Sequence, residues 1–165
     1  MKLRVNVQYA STAPGLPDEA SITRWARTAL AGPDQDEVEI GVRIVDEDEI
    51  TQMNRRFRNE TGSTNVLAFP FGKTPEVQSN LLGDIVICAP VVRREARAQN
   101  KQISAHWAHM VVHAIMHLRG YDHRTPGDAH IMEGIETRVL KRLGFPDPYT
   151  PRWPPTGNPD EHGRR

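Results

Sequence analysis

The sequence predicts an α+β fold, in which helices pack against a small mixed sheet of four strands. Its 165 residues are the length of one ordinary domain, and no internal repeat or linker divides them. Two segments alternate apolar and polar residues and a third run is almost wholly apolar, whereas beyond Pro90 the apolar spacing is helical. The resulting order β-α-β-α-β-β-α-α-α suits one sheet covered by helices.

The first two elements are a strand and a helix. The strand is expected to be half buried, because apolar and polar residues alternate through Leu3, Val5, Val7 and Tyr9. Asp18 can cap the helix that follows, and Gly32 with Pro33 ends it. The apolar stripe of this helix consists of Ile22, Trp25, Ala26, Ala29 and Leu30.

The next elements complete the predicted sheet. A second alternating strand contains Val38, Ile40, Val42 and Ile44, and the acidic run 46–49 resembles a capping box that opens a short helix through Ile50 and Met53. TNVLAFPF (64–71) predicts a third strand, which Pro70 places at an edge, and residues 72–80 predict a loop. GDIVICAP (83–90) predicts a fourth strand that is buried on both faces.

Three helices are predicted in the last part of the chain. They cover about 90–99, Ser104 to Leu118, and about 126–143, and Gly120 stops the second of them. The third is expected to present Ile131, Ile135, Val139 and Leu143 on one face. Six of the 13 prolines lie in the last twenty residues. We therefore expect one domain over residues 1–150, followed by a flexible proline-rich tail over 151–165.

Composition limits the partners and the compartment. The chain has 21 basic and 21 acidic residues, so that a polyanion would have to bind a local basic patch. The N-terminus lacks the apolar stretch of a signal peptide, and no window approaches the ~18 apolar residues of a membrane span. The lone Cys88 lies in an apolar run and is expected in the core. These features predict a cytoplasmic protein without a membrane partner.

The most informative stretch is HAIMHLRGYDH (113–123), which has the pattern H-x3-H-x5-H. His113 and His117 share one face of the predicted helix, and Gly120 can turn the chain so that His123 returns over the helix end. Three neutral imidazoles suit zinc and leave a fourth tetrahedral position for water. A structural zinc site normally has four protein ligands, so this pattern indicates catalysis.

Neighbouring residues leave alternatives open. His109 could be a ligand, a partner of a ligand or merely a neighbour, and Asp84 and Asp122 are possible partners for a histidine N–H. Asp122 could equally hold the turn. Ala114 stands where the H-E-x-x-H pattern has its catalytic glutamate, which argues against a zinc peptidase. Three further histidines are expected to face solvent: His106, His130 and His162.

A basic segment precedes the third strand. Arg55 and Arg58 would share a helix face, and a guanidinium can bind two oxygens of one phosphate. A solvated basic helix end beside its own dipole explains these residues, with Arg56, about as well. A second basic group is more simply a solvated surface: Arg93, Arg94 and Arg97.

HMVVHAIMHLRGYDH (109–123), together with NRRFR (54–58), TNVLAFPF (64–71) and LLGDIVI (81–87), resembles the bacterial YbeY endoribonuclease family of rRNA maturation factors. The similarity runs from about Val38 to LGFPDPY (143–149). It implies a zincin-like fold, one zinc ion held by His113, His117 and His123, and cleavage of single-stranded RNA. The functional arginine of the family falls on Arg58. The departures from the family pattern are Phe57 in a tyrosine position, Ala114, Asn59 with Glu60, and Ala68.

The resemblance also implies the biological setting, which is maturation of the 3′ end of small-subunit rRNA and quality control of ribosomes. The expected partners are single-stranded rRNA, the small ribosomal subunit and its assembly proteins, and not DNA. Arg58 and His113 are the candidate catalytic residues, with Arg58 stabilising negative charge in the transition state. Attack by water or by the RNA 2′-OH stays open. The alternatives are a non-catalytic ribosome-assembly or RNA-binding factor with a zinc-stabilised core and, less favoured, a zinc peptidase.

Overall fold

The computed structural model describes residues 2–31, 37–71 and 80–149. Three predicted features lie wholly or mainly outside these ranges: the helix stop at Gly32 and Pro33, the loop over 72–80, and the tail beyond Thr150. The elements are β1 (Lys2–Tyr9), α1 (Glu19–Leu30), β2 (Glu37–Val45), α2 (Glu47–Arg58), β3 (Val66–Pro70), β4 (Leu81–Cys88), α3 (Ala89–Ala98), α4 (Ile103–Leu118) and α5 (Pro126–Arg142). Their order confirms the predicted α+β fold.

The four strands form one mixed sheet in the order β1-β2-β4-β3. β1 and β2 are parallel, β2 and β4 are parallel, and β3 runs antiparallel to β4. β3 is an edge strand, as Pro70 predicts. Proline has no N–H, and in an edge strand the missing donor can face away from the neighbouring strand. β4 is internal and carries the apolar run IVIC, whose four residues are all buried.

One face of the sheet carries the main core. α1 and α4 pack there, α5 packs against these two helices, and the apolar stripe predicted for α1 is buried in full. α4 is held close to the β3–β4 edge by a glycine: a Cβ at Gly83 would lie 2.5 Å from the Phe69 carbonyl oxygen and 2.6 Å from Leu118 Cδ2. The last turn of α4, which carries His117, therefore lies directly against this edge of the sheet.

The opposite face is only partly covered. α2 and α3 pack on it, and a smaller core forms from Val45, Ile50, Leu67, Val86, Cys88 and Val91. Cys88 is fully buried there, as predicted, and burial raises the pKa of its thiol. Because side chains alternate along β4, Asp84 and Val86 lie on this face, whereas Ile85 and Ile87 face α4.

The predicted capping box at the start of α2 needs correction. Asp46 is the N-cap residue of α2, but its carboxylate accepts hydrogen bonds from Ser11 and Thr12 instead of capping the helix. The fourth residue of the predicted capping box, Glu49, binds Arg43 with both oxygens. The acidic run thus fastens the start of α2 to the segment after β1 and to β2.

The predicted face of α5 is also partly wrong. Ile131 is 57% exposed, and the buried row consists of Met132, Glu136 and Leu140. The helix is rotated because Glu136 lies fully buried against α4, where it hydrogen-bonds to histidines. An apolar count could not anticipate that a carboxylate occupies the centre of the buried face.

The prediction that His106 faces solvent is wrong. It is 2% exposed, because α3 packs on α4 and supplies Glu95, whose Oε1 lies 2.9 Å from His106 Nε2. His130 is exposed, as predicted, and His162 lies outside the described residues. Among residues 2–31, 37–71 and 80–149, no helix is long and apolar enough to cross a membrane.

Candidate metal centre

The candidate site begins with the way in which α4 ends. Gly120 has a φ of +96°, a conformation that a residue with a Cβ adopts only under strain. Its N–H donates to the His117 carbonyl at 3.0 Å, and the N–H of Tyr121 donates to the Met116 carbonyl at 3.0 Å. These two bonds form a Schellman motif, which satisfies the last carbonyls of the helix and turns the chain back. His123 is thereby brought beside the last turn of α4.

The structure brings the three predicted histidines together. The ring centroids lie 4.7 Å apart for His113 and His117, 5.1 Å for His117 and His123, and 6.0 Å for His113 and His123. One nitrogen from each ring lies within 4.8 Å of the others. The Nε2 atoms of His113 and His117 are 3.2 Å apart. Zinc–nitrogen bonds of 2.0–2.1 Å at tetrahedral angles place two nitrogens about 3.3 Å apart, so this spacing already fits a shared ion.

The environment of the rings also fits a metal ion. Burial lowers the pKa of His117, and the neighbouring His113 and His123 lower it further, so this ring favours the neutral form that binds metals. His113 and His117 are half buried, and the side chain of His123 is 59% exposed. No fourth His, Cys, Asp or Glu of the described ranges joins the three. One side of the group consequently faces solvent.

Sequence reasoning missed the residue that orients the group, which is the buried Glu136 of α5. Its Oε2 lies 2.8 Å from His113 Nδ1. A carboxylate only accepts hydrogen bonds, so His113 donates through Nδ1 and presents the lone pair of Nε2 toward His117. A carboxylate that fixes the tautomer and direction of a histidine in this way is a common partner of metal-binding histidines.

The same carboxylate connects His109 and Tyr149. His109 Nε2 lies 2.8 Å from Glu136 Oε1, and the Tyr149 hydroxyl donates to that oxygen as well. Burial raises the pKa of Glu136, but hydrogen bonds and charge from the two histidines outweigh it and lower the pKa to about 2. Burial and the negative Glu136 raise the pKa of Tyr149. The cluster is therefore an ionised carboxylate that accepts three donors.

His109 contacts this carboxylate and does not join the three-histidine group. It forms a second group with His113 and Glu136 whose ligand atoms also lie within 4.8 Å of one another. Those contacts are hydrogen bonds of 2.8 Å, and the remaining nitrogen of His109, Nδ1, is buried without a partner. Because Nε2 carries the donated proton, the buried Nδ1 is an acceptor. Of the three alternatives for His109, the geometry supports a partner role, because His109 binds the same Glu136 carboxylate that binds His113.

The two aspartates lie in different places. Asp122 accepts from the backbone N–H of His123 at 2.7 Å and pairs with Arg124 at 2.8 Å, so it holds the turn. The hydrogen bond from His123 lowers the pKa of Asp122. Asp84 points to the face of the sheet opposite α4, and among the described residues it makes no hydrogen bond with a histidine. A role for Asp84 as a histidine partner is therefore wrong.

Arg58 lies at the exposed end of α2. Its guanidinium is 4.0 Å from Glu60, and within the described ranges no hydrogen bond, ion pair or ring contact joins it to a histidine. α2 packs on the face of the sheet opposite α4. The guanidinium of Arg56 lies 5.4 Å from the centre of the Phe57 ring. Arg94 pairs with Glu47 at 2.8 Å, in agreement with the simpler interpretation of the second basic group.

Comparisons with known proteins identify the family to which this chain is similar. The family described as Endoribonuclease YbeY matches residues 9–144. A protein of Alcanivorax borkumensis named Endoribonuclease YbeY is 50% identical over 151 residues, which cover 89% of this chain and 86% of that protein. One of Cellvibrio japonicus with the same name is 47% identical over 148 residues, 90% of this chain and 84% of that protein.

A solved structure is also similar. The solution structure of TM1509 from Thermotoga maritima has a TM-score of 0.47 and 22% identity, and the match covers 84% of this chain and 91% of that one.

Proposed function

The chain belongs to the YbeY endoribonuclease family, and from this membership and the histidine geometry we propose that it cleaves single-stranded RNA at one zinc ion held by His113, His117 and His123. The observation that supports this most strongly is the convergence of three imidazole nitrogens within 4.8 Å on a solvent-facing side. The spacing of 3.2 Å between two of the nitrogens is close to what two ligands of one zinc ion require.

The histidines have distinct roles in this proposal. His113 is held by Glu136, so the direction of its Nε2 is set before a metal binds. His117 follows one helical turn later on the same rigid helix, whereas His123 closes the site from the turn after Gly120. When bound, zinc supplies Lewis-acid polarisation of a phosphodiester and a lowered pKa of a water ligand. His113 is thus a catalytic residue through its ligand role.

We assign Arg58 to the phosphate groups of the RNA. Its guanidinium is exposed, and Arg55 and Arg56 precede it on the same helix end. Preorganised donors of this kind stabilise the negative charge of a phosphoryl transition state, and losing one typically costs about 10²–10³-fold in rate. Because α2 and α4 pack on opposite faces of the sheet, the RNA strand would have to pass over the edge strand β3 to contact both.

The proposed substrate is small-subunit rRNA near its 3′ end, and the proposed partners are the small ribosomal subunit and its assembly proteins in the cytoplasm. A chain with equal numbers of acidic and basic residues has only local basic patches for RNA. A larger particle that positions the RNA would compensate for the lack of an extended basic surface. Residues 1–150 are proposed to form one metal-dependent domain.

The test compares His123→Ala and Arg58→Ala with matched controls. His123 is an exposed residue outside the helices, so its loss should leave the fold intact, and His130→Ala removes an exposed histidine near the start of α5. Arg138→Ala is the corresponding control for Arg58. Cleavage of a single-stranded rRNA fragment should be lost in His123→Ala, fall about 10²-fold in Arg58→Ala, and stay unchanged in both controls.

Other results would contradict the proposal. Cleavage by His123→Ala at the wild-type rate would exclude the three-histidine site, and unchanged cleavage by Arg58→Ala would exclude the role of that arginine. If folded, zinc-loaded wild-type protein cleaves no RNA, a non-catalytic assembly factor is the better conclusion. The product ends distinguish the attacking group, because a 2′,3′-cyclic phosphate indicates the RNA 2′-OH and a 5′-phosphate with a 3′-OH indicates water.

A further inference from the structure

A cleft in the described part of the chain lies away from the histidines. It has a volume of about 540 Å³ and lies on the face of the sheet that α2 only partly covers. Sites for small ligands usually occupy about 300–1,000 Å³. Its lining is mostly apolar and includes Phe57 and Phe69, together with the polar side chains of Asn6, Gln8 and Asp84. The proposed function assigns nothing to this cleft.

The aromatic side of the cleft has an unusual exposed ring. Phe57 is 58% exposed, although it is a large apolar side chain, and it packs edge-on against Phe69 with 5.5 Å between ring centres. Phe57 lies in the segment NRRFR, between Arg56 and Arg58. An exposed aromatic ring among arginines is a typical surface for an unpaired base, because the ring stacks on the base and the guanidinium groups bind its phosphates.

Asp84 is an exposed carboxylate in this lining. Arg43 is bound by Glu49 and Gln8, and Asn6 is bound by Glu39. Asp84 makes no hydrogen bond or ion pair with any other described residue, and its carboxylate lies over Gly41, where a Cβ would be 2.3 Å from Oδ1. The glycine therefore provides the space in which this carboxylate lies.

Asp84 and the aromatic rings are neighbours. Asp84 is paired in register with Phe69 across β3 and β4, so both side chains stand on the same face of the sheet. Phe69 in turn contacts Phe57. A flat ligand that lies on Phe57 and reaches past Phe69 consequently meets the Asp84 carboxylate with its edge.

We propose that this cleft binds an unpaired guanine base of the single-stranded RNA substrate, an inference that rests on the proposed function. A carboxylate accepts hydrogen bonds only, and the Watson–Crick edge of guanine presents two adjacent donors, N1–H and N2–H. Adenine, cytosine and uracil each place an acceptor beside their donor on that edge. The carboxylate of Asp84 therefore selects guanine, and Phe57 contributes stacking that does not depend on the base.

The cleft lies on the face of the sheet opposite the histidines and reaches the β3–β4 edge at Phe69 and Asp84. Gly83, which precedes Asp84, is covered by Leu118, which follows His117. An RNA strand that places a guanine against Asp84 can continue over β3 toward the histidines, and Arg58, which follows the lining residue Phe57 in the sequence, is assigned to the intervening phosphates. The guanine site would thus determine which phosphodiester is presented for cleavage.

The test measures RNA binding in the presence of a chelator, so that no cleavage is required. The probes are a short oligouridine and the same strand with one central guanosine. Wild-type protein should bind the guanosine strand about tenfold more tightly, since a good bidentate contact discriminates by roughly that factor or more. Asp84→Asn should abolish the preference, and Phe57→Leu should weaken binding of both strands about tenfold.

Two controls and a direct readout complete the design. Asp48→Asn removes an exposed carboxylate of α2, and Phe71→Leu removes an exposed aromatic ring outside the cleft lining. Both should bind like the wild type. Guanosine monophosphate titrated into ¹⁵N-labelled protein should shift the amides of Phe57, Phe69 and Asp84, whereas uridine monophosphate should shift those near Phe57 alone.

Equal binding of the two strands, or an unchanged preference in Asp84→Asn, would overturn the inference and leave a protein partner as the candidate occupant of the cleft. Cleavage of the rRNA fragment is measured separately. RNA cleavage without a guanosine preference contradicts only the guanine site, and a guanosine preference without cleavage contradicts only the proposed catalytic function.

Discussion

Replacing Glu136 by glutamine should weaken zinc binding while leaving the fold intact. The carboxylate accepts from His113, His109 and Tyr149, and glutamine keeps its shape but retains a single acceptor oxygen. If the new NH₂ group faces His113, the proton of that ring has to move from Nδ1 to Nε2, the nitrogen directed at His117. If the amide has the opposite orientation, His113 keeps an acceptor for its Nδ1–H, but this acceptor is neutral instead of negatively charged.

The expected loss of zinc affinity depends on the hydrogen bond between Glu136 and His113. Mutating the hydrogen-bond partner of a metal-binding histidine typically costs about 10–100-fold in metal affinity. At about 1.4 kcal/mol for each factor of ten, the expected loss of binding free energy is about 1.4–2.8 kcal/mol. Tyr149→Phe removes one donor from the other oxygen and leaves the contact with His113, so its effect on zinc affinity should be smaller.

The assay is competition for zinc between the metal-free protein and a chromophoric chelator. Glu133→Gln is the matched control, because it makes the same change at an exposed position of α5. Ring ¹⁵N spectra of the wild type should show the proton of His113 on Nδ1. A folded Glu136→Gln variant that binds zinc within about twofold of the wild type would refute the reasoning that the carboxylate orients the ligand.

Three further predictions concern stability and the metal. Gly83→Ala should destabilise the protein by about 1–3 kcal/mol in chemical denaturation, because the new Cβ meets a backbone oxygen at 2.5 Å. Gly134 lies in a helix with open space around it, so Gly134→Ala should stabilise the protein by about 0.5–1 kcal/mol. Equal effects of the two substitutions on stability would contradict this packing. Hydrogen bonds from Ser11 and Thr12 lower the pKa of Asp46, so its stabilisation should be complete above the ordinary value of 3.8 and be lost as the pH falls through the lowered value. The difference in unfolding midpoint between wild type and Asp46→Asn should therefore shrink at low pH, and a constant difference would contradict it. Removal of metal by a chelator should abolish RNA cleavage and added zinc should restore it, while activity that survives chelation would exclude a metal-dependent reaction.

Local patterns predicted much of the fold and the histidine group. The spacing of His113 and His117 places both on one helix face, and Gly120 indicates the turn that returns His123. The apolar stripe of α1 and the wholly apolar β4 likewise depend on residues close in sequence. These predictions succeed because helix and strand periodicity alone determines which residues share a face.

The remaining features depend on how distant elements pack. His106 is buried because α3 supplies Glu95, and no residue near His106 in the sequence signals that contact. Glu136 is buried because α5 faces the histidines of α4, although it occupies the middle of a row with Met132 and Leu140 at four-residue spacing. A lone glutamate in an apolar row is the signal that could have identified it. The position of Arg58 relative to the histidines depends on which sheet face α2 covers, which the pattern of residues does not determine.

We expect His113, His117 and His123 to bind one zinc ion and to leave one coordination position of that ion free for the reaction. Metal analysis of the purified protein, combined with anomalous scattering from its crystals at the zinc edge, tests this most directly. We expect one zinc ion per chain, with three histidine nitrogens at about 2.0–2.1 Å from the ion and no fourth protein ligand. Histidine rings that point apart, or a protein atom in the fourth position, would contradict it.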